Sequence, residues 1–169
     1  MAEPPVGAKE GGPRDAYRAS GVDVEAGERA VALMRAAVAS TRRPEVVGGL
    51  GGFAGATDLP AGYRRPLVVA STGGVGTAAA LARRAGRLAG LGVDLVAMCA
   101  DDVACAGAEP LFLLDYVAVG RLVPEEVATV VAGVAEGCRL AGCALLGGET
   151  AEHPGVMAPG DLDLAATCV

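Results

Sequence analysis

Three turns rich in glycine and other small residues are the first places in this sequence where a ligand could be held. They are Gly48–Phe53, Ser71–Thr77 and Gly147–Gly155. Glycine lets backbone N–H groups approach an anion closely, and a helix that begins after such a turn adds partial positive charge. None of the three contains the P-loop lysine pattern or G-x-G-x-x-G. Each turn is therefore either a phosphate-binding segment or an ordinary tight turn, and composition leaves both interpretations open.

Carboxylates close to these turns are candidate metal ligands. Asp101 and Asp102 are adjacent within a predicted helix, and Glu149 follows a glycine pair. Consecutive helical residues lie about 100° apart, so only one of the two aspartates can point directly into a given site. Mg²⁺ binds one or two carboxylates and completes its shell with water and phosphate. The alternative is a solvated helix face and a glutamate that caps a helix.

His153 is the only histidine of the chain, and it follows Glu149 and Glu152 in the same predicted turn. Histidine is the side chain best suited to exchange protons near neutral pH. With Glu149, Asp101 and Asp102 it forms a candidate set for acid–base catalysis. The alternative is a surface-loop histidine that has no part in function.

Composition and charge restrict the class of protein. The 169 residues carry 14 Lys and Arg against 20 Asp and Glu, a net charge of −6, so a nucleic-acid partner, which requires clustered cations, is not expected. No apolar run approaches the ~18 residues that a membrane-spanning helix needs, and the N-terminus does not resemble a signal peptide. The five cysteines lack C-x-x-C spacing, which indicates reduced, buried thiols. We expect a cytoplasmic protein without membrane contact.

The hydrophobic pattern predicts one domain, residues 16–169, after a disordered tail of residues 1–15. Its class is α+β or α/β, with helices covering one face of a sheet. The last strand is expected at a sheet edge, and an unpaired edge favours a dimer. The predicted helices are Asp23 (as N-cap) to Ser40, Ala78–Leu88 ended by Gly90 and Gly92, Val93–Ala106 and Pro124–Ala141; the predicted strands are Leu67–Ala70, Leu111–Ala118, Cys143–Leu146 and Asp161–Val169, with a loop over Pro44–Gly62.

Four long segments carry a resemblance to a known family. They begin at Tyr17 (YRASGVDVEAG), Thr41 (TRRPEVVGGLGGF), Gly92 (GVDLVAMCADDVACAGAEPLFLLDYVAVGRL) and Glu136 (EGCRLAGCALLGGETAEHPG). Together they closely resemble the N-terminal half of the aminoimidazole ribonucleotide (AIR) synthetase family, the phosphoribosylformylglycinamidine cyclo-ligases. The resemblance implies an α+β fold with a mixed sheet, helices on one face, and strands that complete a barrel across a dimer.

The same resemblance implies an activity and site residues. Family members use ATP and Mg²⁺ to phosphorylate a formyl oxygen, and a ring nitrogen then displaces phosphate to close an imidazole; a second domain, absent here, supplies much of the substrate site. By motif, Asp102 and Glu149 match the carboxylates on the metal side. The residues implied to line the nucleotide or ligand groove are Arg35, Thr41, Arg42, Arg43, Gly48, Gly49, Gly51, Gly52, Phe53, Ser71, Thr72, Gly74, Val75, Gly76, Thr77, Gly147 and Gly148.

The chain departs from the family's pattern where a triphosphate would be held. The family's turn Asp-Gly-Val-Gly-Thr-Lys has Gly73 in place of Asp and Ala78 in place of Lys. The family's Asn-Asp pair is here Asp101-Asp102, and His153 replaces a Met. A hydrogen bond to a charged group is worth roughly 1.5–3 kcal/mol, so the first two changes weaken MgATP by about two to four orders of magnitude. We expect MgATP binding to be weak or absent, and we assign no cofactor.

Three functions are consistent with these observations. The favoured one is a repurposed domain that binds another small molecule without ATP and acts on it, in a cyclisation or dehydration that uses His153, Glu149 and the aspartate pair. The second is half of an ATP-dependent cyclo-ligase of purine biosynthesis, with the missing domain supplied by a separate chain. The third is a non-catalytic dimeric binding module. The predicted partners are a small-molecule ligand and a second copy of the chain.

Overall fold

The computed structural model describes residues 13–169 as a four-stranded mixed sheet with helices against one face, which confirms the predicted α+β class. A separate antiparallel pair, β1 with β2, lies in the glycine-rich region. The elements in chain order are α1 (Pro13–Ala19), α2 (Val24–Ala39), β1 (Val46–Val47), β2 (Ala56–Thr57), β3 (Ser71–Gly74), α3 (Ala78–Ala85), α4 (Leu88–Cys105), β4 (Phe112–Val119), α5 (Pro124–Ala141), β5 (Ala144–Glu152) and β6 (Leu162–Cys168).

The long helices α2, α4 and α5 form because apolar residues recur at three- and four-residue spacing and can be buried together. α2 begins at the predicted cap, where the Asp23 carboxylate accepts a hydrogen bond of 3.0 Å from the Ala26 N–H. α5 has the predicted bounds, with Pro124 in its first turn and Gly142 in a left-handed conformation after its end. Within residues 13–169, no helix is both long and apolar enough to cross a membrane.

The sheet has the strand order β3-β6-β4-β5. β4 and β5 are parallel, with α5 as the connection between them, and β6 is antiparallel to both of its neighbours. The prediction that the last strand lies at a sheet edge is wrong, because β6 pairs on both sides. The two edges are β3 and β5.

One face of the sheet is covered by helices and the other is open in the single chain. Side chains alternate along a strand, and on β4 Leu113 and Val117 are buried with Leu164 of β6. Leu114 and Tyr116 point to the other side, where each remains 39% exposed. The helices therefore lie on one face, as predicted.

Two predicted turns and one predicted strand are wrong. Leu67–Ala70 is not a strand, and Leu67 and Val68 are 85% and 68% exposed. β3 begins at Ser71, so the first half of the predicted turn Ser71–Thr77 is extended and pairs with β6. β5 continues through most of the predicted turn Gly147–Gly155 and pairs with β4. Partner strands override local turn preference at both places, whereas Leu67–Ala70 has no strand beside it in the described chain.

The glycines near residue 90 do not end a helix. α3 ends at Ala85, where Gly86 adopts a φ of 64°, and α4 begins at Leu88 and continues through Gly90 and Gly92. A Cβ on Gly92 would lie 2.5 Å from the Val130 carbonyl oxygen of α5. Gly92 is therefore a close-packing position between two helices and not a stop signal.

The remaining differences concern the tail, the loop and the cysteines. Residues 1–12 of the predicted tail lie outside the described residues, and Pro13–Asp15 are the first residues of α1. The predicted loop Pro44–Gly62 contains the short strands β1 and β2. All five cysteines are unpaired as predicted, but Cys105 is exposed and only the other four are buried.

Candidate ligand-binding site

A cavity of about 1220 Å³ opens between the glycine-rich segment and the strands β4 and β5. Its walls include Gly49–Thr57, Pro66–Val69, Ala106–Glu109 and Leu146–Glu149. Two of the three predicted turns therefore meet at one cavity, although they are far apart in sequence. The predicted site residues that line it are Gly49, Gly51, Gly52, Phe53, Gly147, Gly148 and Glu149.

Arg42 fixes the base of the glycine segment Gly48–Phe53. Its guanidinium donates hydrogen bonds to the Gly48 carbonyl at 2.6 Å and to the Val46 carbonyl at 3.0 Å. The pairing of β1 with β2 closes the same segment from its other end. Arg42 therefore positions one wall of the cavity, and its own side chain is not among the residues that line it.

Arg43 and Thr41, also predicted for the groove, join parts of the fold. Arg43 contacts Glu45 at 3.3 Å, Glu109 at 2.9 Å and the Gly142 carbonyl at 2.6 Å. Burial lowers the pKa of Arg43, but the hydrogen bonds and charges of Glu109 and Glu45 outweigh it and the net shift is upward. Thr41 is buried, and its Oγ1 accepts a hydrogen bond from the Leu145 N–H at 2.9 Å. Both side chains serve the structure of the cavity walls.

Three carboxylates line the cavity, and their partners differ. Glu109 is paired with Arg43 and accepts a 3.3 Å hydrogen bond from the Tyr63 hydroxyl. Glu149 is the β5 partner of Tyr116 and lies on the open face of the sheet. Asp115 lies on β4 beside Gly148. Among the described residues, no lysine, arginine or histidine side chain lines this cavity.

Asp115 is the most unusual of these groups. Its Oδ2 is buried and has no hydrogen-bond partner within residues 13–169. Burial raises the pKa of Asp115 from 3.8 to about 7, and a hydrogen bond from its own backbone N–H opposes this only in part. A Cβ on Gly148 would lie 1.6 Å from Asp115 Oδ1, so only glycine at position 148 leaves space for this carboxyl group.

The turn Ser71–Thr77 and the aspartate pair lie elsewhere. Both aspartates are on exposed positions of α4, and Asp102 Oδ2 accepts a 2.7 Å hydrogen bond from the Ser71 hydroxyl on the edge strand β3. Glu149 is on β5, the opposite edge. Three strand spacings of about 4.8 Å put these edges roughly 14 Å apart. Within the described chain, no group of three His, Cys, Asp or Glu side chains is arranged to hold a metal ion.

His153 forms a pair with a residue that the sequence pattern does not indicate. Its Nε2 lies 3.0 Å from the Tyr116 hydroxyl. Tyr116 is the register partner of Glu149. Of these three residues only Glu149 lines the cavity. Glu152, by contrast, accepts hydrogen bonds from the Asp23 and Leu122 N–H groups and holds the start of α2.

Arg35 lies outside the main cavity. It lines a separate groove of about 530 Å³ between α2 and the end of β5, together with Glu28 and Glu152. The residues predicted to line one nucleotide groove thus lie in separate places, which include the main cavity, the β3–α3 turn and the groove that contains Arg35. Asp115 and Tyr116 are absent from the predicted set because they lie in the apolar run Leu111–Ala118, where a lone aspartate is the available signal.

The family assignment follows from comparison with known proteins. The family model described as AIR synthase related protein, N-terminal domain, matches residues 58–169. This range includes β3 to β6 and the whole four-stranded sheet. The chain belongs to this family.

Cyclo-ligases are among the proteins most similar to this chain in sequence. The phosphoribosylformylglycinamidine cyclo-ligase of Thermosynechococcus vestitus is 60% identical over 153 residues, and that of Gloeobacter violaceus is 58% identical over 153 residues. Each match covers 90% of this chain and 45% of the relative. The chain thus spans less than half the length of these relatives.

Two solved structures share the AIR synthase N-terminal fold. Thiamine-monophosphate kinase from Stenotrophomonas maltophilia is 21% identical with a TM-score of 0.60, over 83% of this chain and 40% of the kinase. The hydrogenase maturation protein HypE in complex with ATP is 18% identical with a TM-score of 0.59, over 84% of this chain and 38% of HypE. These matches confirm the fold implied by the resemblance. The barrel across a dimer stays a prediction.

Proposed function

We propose that this AIR synthetase family member binds a small molecule in the cavity beside the glycine segment, and that its ligand is not a magnesium–triphosphate complex. The observation that carries the proposal is the charge of the cavity lining. Three carboxylates line it, and the described lining holds no cationic side chain. A triphosphate is held by cationic and N–H donors. Carboxylates at the same place repel a phosphate group that carries no Mg²⁺, and they can attract it only through a bound Mg²⁺ ion.

The position of the candidate metal ligands also supports this proposal. Asp102 of α4 is hydrogen-bonded to Ser71 on the edge strand β3, whereas Glu149 lies on the opposite edge strand β5. These two strands are roughly 14 Å apart by strand spacing, whereas Mg²⁺ contacts its ligands at about 2 Å. One chain therefore does not offer both carboxylates to one ion. The proposed function accordingly has no step that passes through ATP or Mg²⁺.

The chemistry proposed for the bound molecule is proton transfer in a cyclisation or dehydration. Support comes from the hydrogen bond between Tyr116 and His153 and from Glu149, which is the register partner of Tyr116 and lines the cavity. A histidine that is hydrogen-bonded to a tyrosine next to a cavity can move a proton to or from a ligand. Asp101 and Asp102 are remote from this pair within one chain and have no role in the proposal.

We also propose a homodimer. Leu67 and Val68 are exposed immediately before β3, which is an edge strand. Exposed apolar residues next to an unpaired strand edge favour pairing with another chain. The open face of the sheet, with Leu114 and Tyr116, is a further apolar surface that a second copy would cover.

A second candidate is half of an ATP-dependent phosphoribosylformylglycinamidine cyclo-ligase, with a further domain supplied by another chain. The identity of 60% to a cyclo-ligase over 90% of this chain favours it. This candidate requires that MgATP binds despite Gly73 and Ala78 in the β3–α3 turn. Nucleotide affinity therefore separates the two candidates.

Calorimetric titration of MgATP into the full chain tests the proposal, with MgCl₂ and ATP titrated separately as controls. We expect no saturable binding of MgATP up to about 1 mM, because removal of two charged partners costs about two to four orders of magnitude in affinity. Micromolar binding that requires both Mg²⁺ and ATP would refute the proposed function and support the cyclo-ligase half.

A further inference from the structure

One wall of the main cavity is a segment that the rest of the protein holds by very few contacts. Residues 58–70 connect β2 to β3 without regular secondary structure. Within the described chain, no residue from 59 to 70 takes part in a backbone–backbone hydrogen bond. Segments with few hydrogen bonds and much exposed backbone open at a low cost in free energy. This part of the wall is therefore the element of the cavity that can move most readily.

A single side-chain contact ties this segment to the body of the protein. The Tyr63 hydroxyl donates a hydrogen bond of 3.3 Å to Oε2 of Glu109, in the loop between α4 and β4. Among the described residues, this is the only hydrogen bond or ion pair that involves residues 59–70. Glu109 is itself fixed, because its Oε1 accepts a hydrogen bond of 2.9 Å from Arg43, which also donates to the Gly142 carbonyl at 2.6 Å. Tyr63 thus attaches a loosely held segment to a fixed ion-pair network.

The residues of this segment line the cavity and leave much of their surface in solvent. Leu59, Tyr63 and Pro66 belong to the cavity wall, and Leu59 and Tyr63 are 52% and 53% exposed. Gly62, directly before Tyr63, has a φ of 107°, a conformation that favours glycine. Leu67 and Val68, which follow, are the residues assigned above to the edge of the proposed dimer. A second copy would therefore fix that end of the segment and leave residues 59–66 able to move.

We propose that residues 59–66 form a strap that opens and closes one side of the cavity, with the hydrogen bond between Tyr63 and Glu109 as its latch. The inference rests on the proposed function, because it describes how a ligand reaches the same cavity. When the latch is released, both ends of the strap stay anchored, by the pairing of β2 with β1 and of β3 with β6. Ligand entry then requires one exposed hydrogen bond to break, and the sheet stays folded. Because such a bond contributes little, the strap alternates between its closed and open states at equilibrium.

Limited proteolysis of the full chain with a low concentration of trypsin, followed by mass spectrometry, measures the opening of the strap. The strap contains the Arg64–Arg65 bond, and under these conditions the cleavage rate follows the population of the open state. We expect Tyr63→Phe to raise the rate at this bond about twofold to tenfold, because loss of one hydrogen bond shifts the opening equilibrium by about that factor. Tyr17→Phe is the matched control and should leave the rate unchanged, since Tyr17 is 56% exposed and its hydroxyl makes no hydrogen bond within the described chain.

A double-mutant cycle shows whether the hydrogen bond itself is responsible. In the Glu109→Ala background, Tyr63→Phe should have no further effect on the rate, because the acceptor of the latch is already absent. Cleavage of the Arg35–Ala36 bond within α2 reports unfolding of the helices and should be equal in Tyr63→Phe and the unsubstituted protein. Equal rates at Arg64–Arg65 for these two proteins, an effect of Tyr63→Phe that persists in Glu109→Ala, or an equal rise at Arg35–Ala36 would each overturn the inference. Micromolar MgATP binding would instead refute the proposed function, whatever the cleavage rates are.

Discussion

Replacement of Asp115 by asparagine should change how the stability of the protein depends on pH. The folded state raises the pKa of this carboxyl from 3.8 to about 7, so it binds the proton more tightly than the unfolded state does. Between these values the folded protein holds the proton and the unfolded chain has lost it. The free energy of unfolding therefore falls as the pH rises, and above pH 7 the folded state bears the full cost of the buried charge.

The size of the effect follows from the two pKa values. Each tenfold change in proton affinity is worth about 1.4 kcal/mol, so the whole transition from 3.8 to about 7 corresponds to about 4 kcal/mol. Between pH 5.5 and 8.5 the expected loss is about 2 kcal/mol, because part of the transition lies below this range. Asparagine cannot ionise, so the variant should gain about 2 kcal/mol relative to the unsubstituted protein over the same range.

Urea unfolding at pH 5.5, 7 and 8.5, followed by circular dichroism, measures this difference. This pH range lies above the isoelectric point of about 4.8. The net charge is smallest at the isoelectric point, so the measurements avoid the pH at which association is favoured. The test compares how steeply the free energy of unfolding changes with pH in the two proteins. Any destabilisation by the buried asparagine amide is the same at every pH and does not affect this comparison. Asp94→Asn, which replaces an exposed carboxylate on α4, is the control and should run parallel to the unsubstituted protein. Parallel profiles for Asp115→Asn as well would refute the reasoning.

Two further predictions concern the dimer and the acid–base pair. Val68→Asp should convert a dimer to a monomer in light scattering without unfolding it, because the side chain is 68% exposed in the single chain; a particle of unchanged mass would argue against an interface at this edge. We expect the Tyr116 hydroxyl to donate its hydrogen bond to His153 Nε2. The neutral imidazole then carries its proton on Nδ1, which ¹⁵N resonance shifts report. A neutral imidazole protonated on Nε2 would contradict this prediction.

Helices with a long apolar stripe can be predicted from the sequence because their signals are local. The predicted bounds of α5 match the observed ones, since Pro124, the valine stripe and Gly142 all lie within or next to the helix. The Asp23 cap is confirmed for the same reason. Both features depend on residues within a few positions of each other.

Strand predictions fail where pairing is set by distant residues. Gly73 and Gly148 have the composition of turns, yet each lies in a strand because β6 and β4 offer backbone partners. Leu67–Ala70 has the composition of a strand, yet it has no neighbour in the described chain. The internal position of β6 likewise follows from pairing with both β3 and β4, which no local pattern encodes.

The candidate site can be predicted only where glycines mark a close approach. The glycine segment and Gly147–Glu149 do meet at one cavity. The family motif predicts that Arg42 and Arg43 face a nucleotide, whereas their hydrogen bonds hold Gly48, Glu109 and Gly142 in place. A residue type and its spacing identify a charge, but only the fold determines whether that charge is already neutralised.

The partners of Arg42 and Arg43 determine the net charge of the cavity lining. Arg42 is bonded to backbone carbonyls and Arg43 is paired with Glu109, so neither arginine offsets the charge of Asp115 or Glu149. A phosphate group without Mg²⁺ would meet like charges at this cavity, and no cationic side chain of the described lining offsets them. Addition of a cationic side chain to this lining, rather than of a further carboxylate, is therefore the change that should raise the affinity of the cavity for an anion.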